Sequence, residues 1–149
     1  MKPGRLLLLA ASLLAAAAAT AQTFEFKSIG DAPAIMYDAP GNRSIKRFIA
    51  PPGMPVEVVH AAHGWSKVRD ASGDLNWVES KAISAKRTVV VTAVSAKVHA
   101  QPSSNASVVF AADKGVLLDI AEPITSSWIK VRHRDGQTGY VRAAEVWGK

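Results

Sequence analysis

The sequence predicts an all-β protein made of two tandem small barrels of short antiparallel strands. Three observations carry that expectation. One block of residues recurs in order about 63 positions further on. Short runs of β-branched and apolar residues alternate with turn-forming residues. No helical periodicity appears beyond the first twenty or so residues.

The repeat is the strongest of the three. Trp65-Ser66-Lys67-Val68-Arg69 returns as Trp128-Ile129-Lys130-Val131-Arg132, at an offset of 63. Gly73 returns as Gly136, Trp77-Val78 as Tyr140-Val141, and Ile83 as Val146, all at the same offset. Upstream, Pro40 returns as Pro102 and Gly53 as Gly115 at an offset of 62, so one inserted residue separates the blocks. Ordered matches with a single shift indicate a duplicated unit.

Taken in chain order, the elements read as strands and turns. Phe24-Glu25-Phe26-Lys27 alternates apolar and polar residues, as a half-buried strand does. Val56-Glu57-Val58-Val59, Val89 to Val94 and Val116 to Ile120 are further strand-like runs. Turn residues punctuate them at Asp38-Ala39-Pro40-Gly41-Asn42, Pro51-Pro52-Gly53, Ser72-Gly73 and Asp135-Gly136. The Asp135-Gly136 pair is suited to a hairpin that needs positive φ. Asn76 stands where the second unit has Gly139, and both residues tolerate the left-handed region. Ala82-Ile83 and Ala143-Ala144-Glu145-Val146 each have room for a single helical turn. The linker, Ser84 to Arg87, is short, and units of this size are marginal alone, so the two are expected to touch. Trp147 is expected to seal the second unit.

The N-terminus sets the expected compartment. Lys2 and Arg5 precede an apolar run rich in leucine and alanine, and Ala19-Thr20-Ala21 closes it with small residues. That order is the secretory pattern, with residues 1–21 as signal peptide. The run is short of the roughly 20 strongly apolar residues that a membrane span needs, so no stable insertion is expected after cleavage. The chain has no cysteine, which removes disulfides, thiolate nucleophiles, thiolate metal sites and lipoprotein acylation. Periplasm or secretion is the expected destination. Residues 1–21 hold two of the 18 basic side chains and none of the 12 acidic ones, which leaves a formal charge of +4. That favours anionic partners without specifying one, and export together with the absence of a dense basic block argues against nucleic acid.

At this point the pattern resembles the bacterial SH3-like domain, in tandem, over residues 22–85 and 86–149. Ala34-Ile35-Met36-Tyr37-Asp38-Ala39-Pro40 and Ala96-Lys97-Val98-His99-Ala100-Gln101-Pro102 look like the opening strand and turn of such units. Gly53 and Gly115 look like the glycine before the second strand. The two Trp-x-Lys-Val segments look like the third strand, and Asn76-Trp77-Val78 and Gly139-Tyr140-Val141 like the fourth. The first unit departs from the pattern at Asn76 and in an opening turn that reads as longer. The resemblance implies export and a binding role toward peptidoglycan or an envelope protein. Tyr37 does not suggest a proline-peptide groove, which needs several clustered aromatics; Val98 is read as its counterpart.

Alternation places Ile129 and Val131 on the core face, and Trp128, Lys130 and Arg132 together on the other. The first unit repeats this with Trp65, Lys67 and Arg69 opposite Ser66 and Val68. An aromatic ring beside two cations suits a sugar face with a carboxylate or phosphate. The competing reading packs each tryptophan within its own barrel or between units. Trp77 and Tyr140 join the same surface if Val78 and Val141 face inward, and a bulge reverses that. His60-x-x-His63 lies off any helix and lacks a third ligand, so no metal is expected. His99 and His133 read as surface residues. No nucleophile motif, carboxylate pair or phosphate-cradling loop appears, so neither catalysis nor a cofactor is expected. The resulting expectation is a non-enzymatic envelope protein that binds cell-wall peptidoglycan or its stem peptides. Its rival is a structural or protein-interaction module without a glycan ligand.

Overall fold

The structure, a computed structural model, describes residues 23–149. The segment read as a signal peptide lies outside the described residues. Seven strands form one sheet: β1 (Glu25–Ile29), β2 (Ala34–Tyr37), β3 (Lys46–Ala50), β4 (Pro55–Ala62), β5 (Trp65–Arg69), β6 (Leu75–Glu79) and β7 (Ile83–Ser84). Seven more form a second: β8 (Thr88–Val91), β9 (Ser95–His99), β10 (Val108–Asp113), β11 (Leu117–Ile120), β12 (Trp128–Arg132), β13 (Thr138–Arg142) and β14 (Val146–Trp147). The first sheet runs β3-β2-β6-β5-β4-β1-β7 and the second β10-β9-β13-β12-β11-β8-β14. Each position in the second order is the first plus seven, so the duplication holds at the level of topology. Single turns of 3-10 helix, Ser80–Ala82 and Ala143–Glu145, precede the last strand of each.

The buried faces match at seven positions. Ile29, Ala34, Met36, Ala50 and Val56 correspond to Val91, Ala96, Val98, Ala112 and Leu118; Val68 and Val78 correspond to Val131 and Val141. Two core positions differ in kind, and at one of them the buried Val89 of the second barrel stands where the first has the half-buried Lys27. At the other, Ile129 is buried in the second barrel, and its counterpart in the first is Ser66, also buried. The Ser66 hydroxyl is satisfied by the Ser80 hydroxyl at 2.7 Å. Ala143 stands where Ser80 stands, so a hydrogen-bonded polar pair in one barrel replaces an apolar pair in the other.

The turns repeat too. Gly53 N–H donates to Ile29 O and Gly115 N–H to Val91 O, with both glycines at positive φ. Gly73 (φ 92°) and Gly136 (φ 93°) close matching hairpins, as the sequence predicts. Two expectations are corrected. Residues 38–45 and 100–107 are loops of equal length, so the first opening turn is not longer. Neither Asn76 nor Gly139 has positive φ. Gly139 is required for space: a Cβ there meets His99 O and Val98 Cγ1, each at 2.7 Å, where β9 crosses close to β13.

The inserted residue lies between β4 and β5 and their counterparts. In the first barrel His63 (φ 53°) and Gly64 (φ 80°) make a two-residue hairpin, the conformation that primed turns demand. In the second, β11 stops at Ile120 and a loop through Pro123 leads to Trp128.

The two barrels touch, and Trp147 is part of the contact. Its counterpart by strand pairing is Ser84, and its ring packs edge-on against Phe26 of the first barrel at 5.1 Å. It therefore bridges the units and does not only seal the second. Arg87 lies over the Phe26 ring and donates to Gly148 O. The buried hydroxyls of Ser28 and Thr88 each donate across the seam, to Lys86 O and Gly53 O, both at 2.7 Å. At Gly148 (φ 115°) a Cβ meets Thr88 O at 2.6 Å and Pro55 Cβ at 2.9 Å, so only glycine fits there.

Candidate functional site

Alternation along β5 and β12 distributes side chains as expected. Ser66, Val68, Ile129 and Val131 are buried, while Trp65, Lys67, Arg69, Trp128 and Lys130 are half-buried and Arg132 is exposed. On β6 and β13, Val78 and Val141 face the cores, so Trp77 and Tyr140 face out. Register sets Lys67 opposite Trp77 and Lys130 opposite Tyr140. All eight sequence-predicted residues thus lie on the outer faces of two equivalent sheets. The faces are not alike in what their residues contact.

In the first barrel the aromatics form a strip. Tyr37 packs edge-on against Trp65, with ring centroids 5.3 Å apart. Trp77 is opposite Tyr37 in register and receives His60 at 6.1 Å. The 40–44 segment of the β2–β3 loop borders Trp65 and leaves an open groove between Arg43 and the indole. Lys67 has no ion-pair partner among the described residues. Arg69 is occupied: it pairs with Glu57 and lies over the Phe24 ring at 5.6 Å. Trp65, Lys67 and Trp77 are therefore together and available, and Arg69 is held by its neighbours.

In the second barrel the pattern inverts. Trp128 packs edge-on against His99 at 5.4 Å, and Arg142 lies over the indole at 5.1 Å. A guanidinium so placed is attracted by the ring quadrupole and covers the surface a ligand needs. Arg142 corresponds to Glu79, which pairs with Lys81 instead. Lys130 donates to Glu122 at 2.6 Å and lies 5.9 Å from the Tyr140 ring; the Glu122 contact holds its ammonium above the ordinary lysine range. Arg132 is the site cation without an ion pair among the described residues, since Asp119, its cross-strand neighbour, binds Lys86 at 2.9 Å.

Sequence reasoning missed Tyr37, His60 and Arg43. The counterpart of Tyr37 is His99, not Val98: each abuts the tryptophan of its own barrel, and each is paired in register with the aromatic of the fourth strand. The offset of 62 that relates Pro40 to Pro102 already gives that match. His99 is not a surface residue. It is 7% exposed and bonds through Nδ1 to Ala106 O at 2.9 Å. His133 is half-buried and meets Asp135 at 3.0 Å. His63 sits in its turn and His60 against Trp77, and no set of three metal-capable side chains occurs among the described residues. No helix among them is long and apolar enough to cross a membrane.

A known domain family matches this architecture. Residues 30–85 and 93–148 each match the bacterial SH3 domain. Among solved structures, NlpC1 from Trichomonas vaginalis is similar at 15% identity and a TM-score of 0.40, over 99% of this chain and 52% of that one. NlpC2 from Trichomonas vaginalis is similar at 12% identity and a TM-score of 0.39, over 87% and 50%. The chain spans about half the length of each of these structures. No curated protein matches it. With two matches covering well over half of the sequence, each on one seven-stranded sheet, the chain belongs to the bacterial SH3 domain family as a tandem pair.

Proposed function

We propose that this is a non-enzymatic, exported binding protein whose first barrel recognises cell-wall peptidoglycan or its stem peptides. The observation that carries the reading is the cluster of Trp65, Trp77 and unpaired Lys67 on one face, with an open groove between Trp65 and the 40–44 loop. A half-exposed indole offers a flat apolar surface to a sugar ring or a peptide methyl group. The lysine and Arg43 offer charge to the carboxylates of a stem peptide. Family membership is consistent with a binding role.

The second barrel has a different part in this reading. Arg142 over Trp128 and Glu122 on Lys130 use up the groups that a ligand needs. These contacts favour a structural role for that barrel, holding the first through the Phe26–Trp147 seam, with Tyr140 and Arg132 adding little to affinity.

The test is sedimentation of residues 23–149 with purified insoluble peptidoglycan, at low and moderate salt, beside a protein of equal charge. Retention above the control that survives moderate salt is expected. Retention equal to the control at both salts moves the assignment to a protein partner in the envelope.

A further inference from the structure

The β2–β3 hairpin of the first barrel carries a surface that the glycan reading does not use. Among the described residues ten large apolar side chains are exposed, and four of them belong to this hairpin: Ile35, Ile45, Phe48 and Ile49. Ile45 and Ile49 are 68% and 69% exposed. Ile35 and Ile49 are cross-strand partners, so their side chains emerge on one face. Two cations are interleaved with them, Lys46 and Arg47, and neither has an ion-pair partner among the described residues. The second barrel has the same hairpin with Lys97, Ser107 and Ala111 at the positions of Ile35, Ile45 and Ile49, so the fold does not require the isoleucines.

We propose that this hairpin docks the protein on an anionic lipid surface. The exposed Ile35–Ile49 pair, with Ile45 and Phe48 on the same hairpin, marks an interaction site, and the cations beside it select a negatively charged one. Peripheral binding of this kind adds apolar insertion to electrostatic attraction. The strand chemistry argues against the other occupants of an apolar edge. β3 ends its sheet, and a free edge invites a further strand. Here Lys46 and Arg47 lie on that edge, and a bulge leaves Arg47 without a cross-strand partner. Edge charge and a bulge are the devices that block strand addition, whether by a peptide or by a second copy. Neither hinders the side chains from entering a headgroup layer.

Sedimentation with lipid vesicles tests this. Residues 23–149 hold both sheets and both cores, and they omit the apolar run 6–19, which would itself bind lipid. We expect binding to vesicles of phosphatidylglycerol and phosphatidylcholine in equal parts to exceed that to pure phosphatidylcholine by about tenfold or more, and to weaken as salt rises. The double variant Ile45→Ser, Ile49→Ala installs the second barrel's own residues and leaves the charge unchanged. It should lose about tenfold in vesicle binding with an unchanged melting temperature and unchanged peptidoglycan retention. The variant Lys46→Gln, Arg47→Gln should lose most of the salt dependence. Equal binding to both vesicle types, or full binding by the isoleucine variant, overturns the proposal. So does capture of an acidic apolar peptide by this hairpin when vesicles are not bound.

Discussion

The two barrels have the same strand order, the same turn glycines and corresponding cores, yet their outer faces have diverged. In the first, Trp65, Lys67 and Trp77 meet no ion-pairing or stacked cation among the described residues, and Arg69 is tied to Glu57. In the second, Arg142 covers Trp128 and Glu122 ties Lys130. Core positions answer to packing on every side and tolerate little change. Outer positions answer only to neighbours one strand away, so a single exchange such as Glu79 for Arg142 decides whether an indole is open or capped. The proposed function rests on this difference, with binding by one copy and support by the other.

The largest effects are expected in the cores, at the linked pair where one barrel is polar and the other apolar. Ile129→Ala should destabilise the second barrel by about 2–5 kcal/mol in chemical denaturation, the usual range for a buried isoleucine. Ser66→Ala should cost the first about 1–3 kcal/mol, because the Ser80 hydroxyl loses its partner. Replacing both, Ser66→Ile with Ser80→Ala, should recover most of that loss by installing the second barrel's pair. A double variant less stable than Ser66→Ala alone would break the equivalence of the two cores.

Somewhat smaller is the contrast at the fourth strand. Gly139→Ala drives a methyl into the β9 backbone and should cost about 1–3 kcal/mol, the range for overpacking. Asn76→Ala at the matching position should cost less, since a side chain is already accommodated there. Equal costs would show that the close approach is not particular to the second barrel.

The outer-face exchange is a smaller perturbation of stability with a spectroscopic readout. Arg142→Glu should uncover Trp128 and increase acrylamide quenching of its fluorescence, for a loss of about 0.5–1 kcal/mol of cation–π attraction. The smallest effect is at Asp135, where the backbone and side-chain amides of Gln137, with His133, hold the carboxyl down from 3.8 to about 2. A depressed carboxyl stabilises the fold fully above its unfolded value and loses that contribution as pH falls through about 2. Asp135→Asn should therefore be less stable than the parent at pH 7 and equal to it near pH 2. A constant difference across that range would remove the linkage.

Much of this was legible in the sequence. The repeat offset located both barrels, the shift from 62 to 63 marked one inserted residue between the blocks, and alternation put six of the eight candidate residues on the outer faces while leaving Trp77 and Tyr140 open. Contacts between residues far apart in the chain were not legible. Nothing near Trp147 names Phe26 as its neighbour, and nothing near Lys130 tells whether Glu122 reaches it. Gly139 illustrates the limit. Its residue type suggested a backbone angle, whereas the requirement comes from His99 on another strand. The pairing of Tyr37 with Val98 failed by one position, and in a strand one position exchanges the two faces.

The central claim is that the first barrel binds and the second supports. Peptidoglycan affinity of Trp65→Ala beside Trp128→Ala, in one sedimentation series, tests it most directly. The account predicts a loss of about tenfold for Trp65→Ala, in line with a stacking contact, and less than about twofold for Trp128→Ala. Equal losses, or a greater loss at Trp128, would contradict it.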